Sequence, residues 1–293
     1  MAFKPRYINI RGRLLDLDTP RVMGIINITP DSFYEGSRVM DEDEIVRVAS
    51  AMVRDGADII DVGGYSTRPY GEFIAKEEER KRVLNAIRLI SREVPEAVIS
   101  IDTFRSEIAE EAVKECGAHI INDISGGVAD PEMFSTVKRL NVPYVMMHTK
   151  GDSSTMQDNP VYDDVVADIL RWFGPRISEL QSEGVKDIII DPGIGFGKTI
   201  RHNFEILRRL GDFRIAGLPL LIGVSRKSMI WKTLGVTPGE ALNGTTVLNS
   251  IALLGGADIL RVHDVKEAVQ AVKLIGKMRK SANPAPGTLN PGS

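Results

Sequence analysis

Short apolar runs rich in β-branched residues recur along this chain, and each is followed by a longer segment with helical periodicity. The runs fall at 22–26, 58–62, 97–101, 120–121, 143–147, 187–190, 220–223 and 258–260. Runs this apolar suit parallel strands covered on both faces. Helical segments are expected at 42–54, 76–93, 106–116, 133–140, 162–183, 239–254 and 264–280. Roughly eight strand–helix repeats in 293 residues match the pattern and size of a (β/α)8 TIM barrel. An open doubly wound sheet also alternates strand and helix, so the count alone does not choose between them. No composition break divides the repeats, and 21–280 reads as one barrel domain. Ahead of it, 1–20 alternate around Gly12 as a short hairpin extension. The tail 281–293, rich in Pro, Gly, Asn and Ser, is expected to be disordered.

Composition narrows the class of partner. A formal net charge of −3 gives no general attraction to nucleic acid or to an anionic membrane. The single cysteine, Cys116, has no internal partner for a disulfide and lies in a helical stretch, where a packed small apolar role is the expectation. Neither a signal-peptide pattern nor an apolar run of membrane-spanning length is present. A soluble cytoplasmic protein is expected.

The loop Asp191-Pro192-Gly193-Ile194-Gly195-Phe196-Gly197-Lys198 follows one of the apolar runs. It is not a P-loop, because Pro192 stands where the first glycine of that motif is needed. Its glycines permit a tight turn pressed against something flat, and Asp191 stands where the strand ends. Other strands end in the same way. Asn27, Asp61, Asp102, Asn122, Asp191, Lys227 and Arg261 all read as lying at or just past the carboxyl end of a strand. A lone Asp or Asn there is usually a helix cap or turn residue. Seven together are hard to explain as caps, and in a closed barrel those ends share one mouth.

Two chemistries separate within the set. Asp102, Asn122 and Asp191 offer carboxylate acceptors and an amide, suited to a planar, donor-rich heterocycle with Phe196 or Met147 on its faces. Arg68, Arg226, Lys227, Arg261 and His263 form a cationic group suited to an anion, although Arg226 alone could equally be a solvated charge. His148 has no second His or Cys at ligand spacing, which argues against a transition-metal site.

Several multiresidue motifs resemble the dihydropteroate synthase family, in order along the chain. They are Asn27-Ile28-Thr29-Pro30-Asp31-Ser32-Phe33, Ser66-Thr67-Arg68-Pro69, Ile101-Asp102-Thr103, Asn122-Asp123-Ile124-Ser125-Gly126, Met147-His148, the Asp191 loop, Ser225-Arg226-Lys227-Ser228 and Arg261-Val262-His263-Asp264-Val265. The resemblance implies condensation of 6-hydroxymethyl-7,8-dihydropterin diphosphate with 4-aminobenzoate, giving dihydropteroate and pyrophosphate by an SN1-like path in folate synthesis. It implies that Asp102, Asn122, Asp191 and Lys227 hold the pterin, with Ile124, Met147, Gly195, Phe196 and Gly223 completing that pocket. Asn27, Arg261 and His263 would meet the pyrophosphate, with Asn27 also a ligand of Mg²⁺. Phe33, Thr67, Arg68, Pro69 and Ser228 would frame 4-aminobenzoate. Asp102, Asp191, Lys227 and Arg261 would carry the chemistry. Sulfonamide inhibitors and a homodimer are further implications. Tyr65 and Tyr70 stand where the family usually has glutamate and glycine.

Two other readings share part of this set. A pterin-dependent methyltransferase of similar barrel would use the acidic and amide groups, yet has no need of the Ser225-Arg226-Lys227 cluster. A non-catalytic pterin-binding module would be expected to have lost at least one of the charged residues.

Overall fold

The computed structural model describes residues 7–28, 41–64, 74–151 and 160–282. The hairpin comes first, as β1 (Tyr7–Ile10) and β2 (Arg13–Asp16), paired antiparallel. Its two-residue turn places Arg11 and Gly12 at φ 48° and 95°, as such a turn requires. The repeats then run β3 (Arg21–Asn27), α1 (Glu42–Asp55), β4 (Ile59–Gly63), α2 (Lys76–Glu93), β5 (Val98–Asp102), α3 (Ser106–Glu111), β6 (Ile120–Asp123), α4 (Met133–Leu140) and β7 (Tyr144–Met147). They continue through α5 (Val165–Ser182), β8 (Ile188–Asp191), α6 (Ile200–Arg208), β9 (Leu221–Ile222), α7 (Ser228–Leu234), α8 (Leu242–Gly255), β10 (Ile259–Val262) and α9 (Val265–Ala282).

β3 to β10 form one parallel sheet in the order β8-β7-β6-β5-β4-β3-β10-β9. A parallel bridge between Ile190 and Leu220 joins β8 to β9, so the sheet closes on itself. The expected barrel is therefore the observed one, and the open doubly wound alternative is excluded.

Alternation along each strand explains what fills the barrel. Met23, Ile59, Val98, Ile120, Val145, Ile189, Leu221 and Ile259 form one apolar layer at the amino ends of the strands. The hairpin packs Ile8, Ile10, Leu15 and Leu17 onto that layer and closes the base. Two residues further along, six of the eight strands present Asp61, Ser100, Asn122, Met147, Asp191 and Arg261, while β3 presents Ile25 and the chain just past β9 presents Gly223. A further two along, Asn27, Gly63 and Asp102 follow. The floor is dry, and the polar groups begin one layer above it. The strand faces that point outward pack with the helices in a larger, separate core.

Some boundaries differ from expectation for identifiable reasons. α5 begins at Val165 because Asp164 caps it, accepting from Val166 N and Ala167 N at 3.0 Å each. The expected 239–254 helix starts at Leu242, since Pro238–Glu240 forms a separate 3-10 turn capped by Thr237. The last turn before Cys116 is π-helical rather than α-helical. α6 and α7 had no sequence expectation, and α9 continues to Ala282, past the point where the tail was expected to begin. Residues 283–293 lie outside the described residues.

Candidate active site

The carboxyl ends of the strands bring most of the expected residues into one cluster. Arg261, the third residue of β10, reaches across the barrel to two carboxylates. Its Nε donates to Asp61 Oδ2 and its Nη2 to Asp102 Oδ2, each at 2.6 Å. Asn122 Nδ2 donates to the same Asp61 Oδ2 at 3.0 Å. A Cβ placed on Gly63 would lie 3.4 Å from Asp102 Oδ2 and 3.6 Å from Asn27 Oδ1. Those two oxygens therefore flank the bare backbone of Gly63.

Asp191 ends β8, where its Oδ1 accepts from Gly193 N at 2.7 Å and so starts the loop turn. Gly193 must be glycine. It has φ +69°, and a Cβ there would meet the carbonyl oxygen of His148 at 1.9 Å. The loop is thus pressed against the end of β7. Beyond it Lys227 Nζ lies 4.7 Å from the centre of the half-buried Phe196 ring and donates to the carbonyl of Ile194. Met147 is buried at the end of β7, Ile124 is half-buried after β6, and Gly223 is buried after β9. Ser228 opens α7.

Charge and burial set the protonation pattern. Burial pushes the Asp102 carboxyl up to about 7; the Arg261 guanidinium opposes this, and the Asp61, Asp123 and Asp191 carboxylates add to it. Asp191 is raised in the same way, with Lys227 the main opposing charge. Desolvation lowers Lys227 to about 8 although Asp191 holds its proton. For Arg261, burial is outweighed by Asp61 and Asp102, and its pKa is raised. The guanidinium stays charged.

Three expectations need correction. His263 was grouped with the cations, but burial and then Arg261 depress its pKa to about 4, so without an anion it is neutral near pH 7. Its backbone N–H donates to Ser225 Oγ at 3.1 Å. Arg226 is neither a free cation nor a merely solvated one, since it is paired with a carboxylate. Its Nε and Nη2 meet the Asp264 carboxylate at 3.0 and 2.7 Å, and Thr245 Oγ1 receives its N–H in a left-handed backbone, φ 53°. Asp61 is not at a strand end. It is the third of five residues of β4 and fully buried. Arg261 moreover joins the carboxylate set, so the two chemistries share one network.

Phe33, Thr67, Arg68 and Pro69 lie outside the described residues, as do Tyr65 and Tyr70.

A family model for pterin-binding enzymes matches residues 23–263. A dihydropteroate synthase of Escherichia coli is 43% identical over 267 residues, covering 90% of this chain and 94% of that protein. The chain belongs to the dihydropteroate synthase family. Among solved structures, the Yersinia pestis dihydropteroate synthase in complex with a sulfonamide drug superposes with a TM-score of 0.88 at 37% identity. That match covers 94% of this chain and 99% of the other. The Xanthomonas albilineans dihydropteroate synthase with 4-aminobenzoic acid gives 0.84 at 36% identity, covering 94% and 98%.

Within this dihydropteroate synthase fold, two charged groups were not assigned a site role from sequence. Asp61 ties together Arg261 and Asn122. Lys198 is buried below the Asp191 loop, with Nζ 3.0 Å from His148 Nδ1 and 2.8 Å from the carbonyl of Phe196. Stepping two residues at a time from the apolar floor would have placed Asp61 in the barrel interior. Nothing in the local sequence separates Lys198 from a surface lysine.

Proposed function

We propose that this chain is a dihydropteroate synthase, joining 6-hydroxymethyl-7,8-dihydropterin diphosphate to 4-aminobenzoate and releasing pyrophosphate in folate biosynthesis. The observation that carries this reading is the convergence of Asp102, Asn122 and Asp191 with Arg261 and Lys227 at one barrel mouth. The carboxylates and amide suit the ring edge, where Asp102 and Asp191 accept ring N–H donors. Phe196, Met147, Ile124 and the backbone at Gly195 and Gly223 line the flat faces. Arg261, His263 and Asn27 receive the pyrophosphate.

The path is SN1-like. The pterin methylene C–O bond breaks with its electron pair leaving on pyrophosphate, and the ring system takes up positive charge. Asp102 and Asp191 stabilise that charge, while Arg261 stabilises the leaving anion. Both act most strongly on the charge-separated state, which lowers the barrier rather than merely tightening binding. The arylamine nitrogen then bonds to the methylene and gives up its proton to solvent. Phe33, Thr67, Arg68, Pro69 and Ser228 frame the arylamine.

Mg²⁺ fits the residues present. Among the described residues no group of three or more His, Cys, Asp or Glu could cage a metal. A single hard oxygen, Asn27 Oδ1, completed by phosphate oxygens is the set that Mg²⁺ favours. When bound, the ion supplies charge neutralisation for the diphosphate.

Two broader features complete the proposal. Val247, Ile251 and Leu254 on α8 and Leu274 and Met278 on α9 are exposed apolar side chains on neighbouring helices. This face suits a second copy of the chain in a homodimer. A cytoplasmic location is part of the same proposal, by its membership of the dihydropteroate synthase family. The test of the whole reading is incubation with the pterin diphosphate, Mg²⁺ and 4-aminobenzoate. Dihydropteroate should form with wild type and fall sharply with Asp191→Ala or Asp102→Ala. No product from folded wild-type protein overturns it.

A further inference from the structure

Arg261 is held by two carboxylates that lie at different depths in the barrel. Asp102 is the last residue of β5, at the mouth, and is wanted by the ring as an acceptor. Asp61 sits one layer deeper in mid-strand and is fully buried. Its Oδ2 alone takes both Arg261 Nε and Asn122 Nδ2, while Oδ1 has no partner among the described residues. One oxygen therefore fixes a group assigned to the pyrophosphate and a group assigned to the ring.

We propose that Asp61 is the positioning residue of this site, the fixed anchor of Arg261, with Asp102 its exchangeable partner. When the ring arrives, its donors claim Asp102 and the Arg261 Nη2 contact opens. The Nε contact to Asp61 stays. Arg261 is then neither drawn away with Asp102 nor lost to solvent, and its Nη atoms turn to the leaving group. Asn122 is kept in register by the same oxygen. A site without Asp61 would leave Arg261 wholly on Asp102, in direct competition with the ring. This inference rests on the assignment of Asp102 to the ring proposed above.

The experiment compares wild type with Asp61→Asn, which keeps the shape and removes the charge. In the variant, kcat should fall roughly ten- to a hundredfold, the loss expected for one charge-assisted hydrogen bond. Binding of 6-hydroxymethylpterin, followed by calorimetry, should also weaken, because Arg261 now occupies Asp102. A purely structural role would instead lower the thermal midpoint and leave kcat per folded molecule unchanged. A second measurement needs no change at Asp61. In ¹⁵N-arginine-labelled wild type, the Arg261 Nε–H signal is assigned by its absence in Arg261→Lys. That signal should remain hydrogen-bonded when 6-hydroxymethylpterin is added, while the Nη signals shift. Wild-type kcat in folded Asp61→Asn, or loss of the Nε–H hydrogen bond on adding the pterin, overturns the proposal. If wild type itself fails to bind the pterin, the fault lies in the functional reading rather than in the role of Asp61.

Discussion

Lys198 and His148 meet inside the protein, Nζ to Nδ1 at 3.0 Å, tying the loop after β8 to the end of β7. Burial, then the neighbouring lysine, lowers the His148 pKa to about 2, so its ring is neutral beside the amine. Lys198 is lowered well below its ordinary value by the same burial, with Asp191 pulling the other way. The amine also bonds the carbonyls of Phe196 and His148, at 2.8 and 3.3 Å, and so sets the loop that carries the ring pocket.

Lys198→Met should therefore loosen the pocket without removing any group expected to touch substrate. One buried and one partly buried carbonyl would lose a donor, at about 1–3 kcal/mol for a buried group left unsatisfied. Thermal unfolding should register a lower midpoint, and pterin affinity should fall. A midpoint and an affinity both equal to wild type would show that the loop holds its shape without this brace.

The second expectation concerns pH. The raised Asp102 pKa, about 7, means that the ligand-free fold favours the protonated acid. Its stabilising contribution is thus fully present below the ordinary carboxylate pKa and is lost as pH rises through about 7. Ring binding has the opposite sign, because the carboxylate is the acceptor. Between about pH 5 and about pH 8, pterin affinity should rise while the stability of the ligand-free protein falls. Asp102→Asn should flatten both trends, as measured by calorimetry and thermal unfolding across that range.

His263 offers a separate proton signature. It is neutral without ligand because burial and Arg261 disfavour the imidazolium. A pyrophosphate alongside would favour that charged form and raise the pKa. Pyrophosphate binding with Mg²⁺ at about pH 5–6 should therefore take up protons, seen as binding heats that depend on buffer ionisation enthalpy. His263→Asn should remove the uptake. Equal uptake in the variant would place the titrating group elsewhere.

A structural ion pair between the start of α2 and the segment after β5 gives the fourth expectation. Glu79 is fully buried in α2, where it accepts from Thr103 Oγ1 at 2.6 Å and is paired with Arg105, which also donates to the Ile74 carbonyl at 3.1 Å. Glu79→Ala would take the carboxylate partner away from a largely buried guanidinium, a loss of about 3–5 kcal/mol when one member of a buried ion pair is removed. Denaturant unfolding should show a loss of that order, and Glu79→Gln a smaller one. Near-wild-type stability in Glu79→Ala would mean that Arg105 finds another acceptor.

How much of this was legible in the sequence depended on whether the signal was local. The strands could be read because they are buried on both faces, which makes them short apolar runs such as Ile188–Asp191. The floor of the barrel and the mouth both follow from period-two alternation. α6 was missed because its capping box pairs Thr199 with His202, where Glu or Gln is the usual signal. α7, of 7 residues, is too short to display a helical period. Site residues at strand ends announced themselves as polar breaks in apolar runs. Asp61 looked like one more of these, and its true depth needed the register. Arg226 was ambiguous because its partner Asp264 comes from a different loop, 38 residues on.

The ring of strands has a join where β3, the first of its strands, pairs with β10, the last. β10 leaves the ribosome after every other strand of the ring. Until then β3 and β9 present open edges, so a chain cut before β10 is exposed to edge-to-edge association. Arg261 and His263 travel with that last strand. A chain that stops before β10 therefore carries the carboxylates Asp61, Asp102 and Asp191 without the guanidinium that ties them together, and the last strand of the ring to be made is also the one that completes the site.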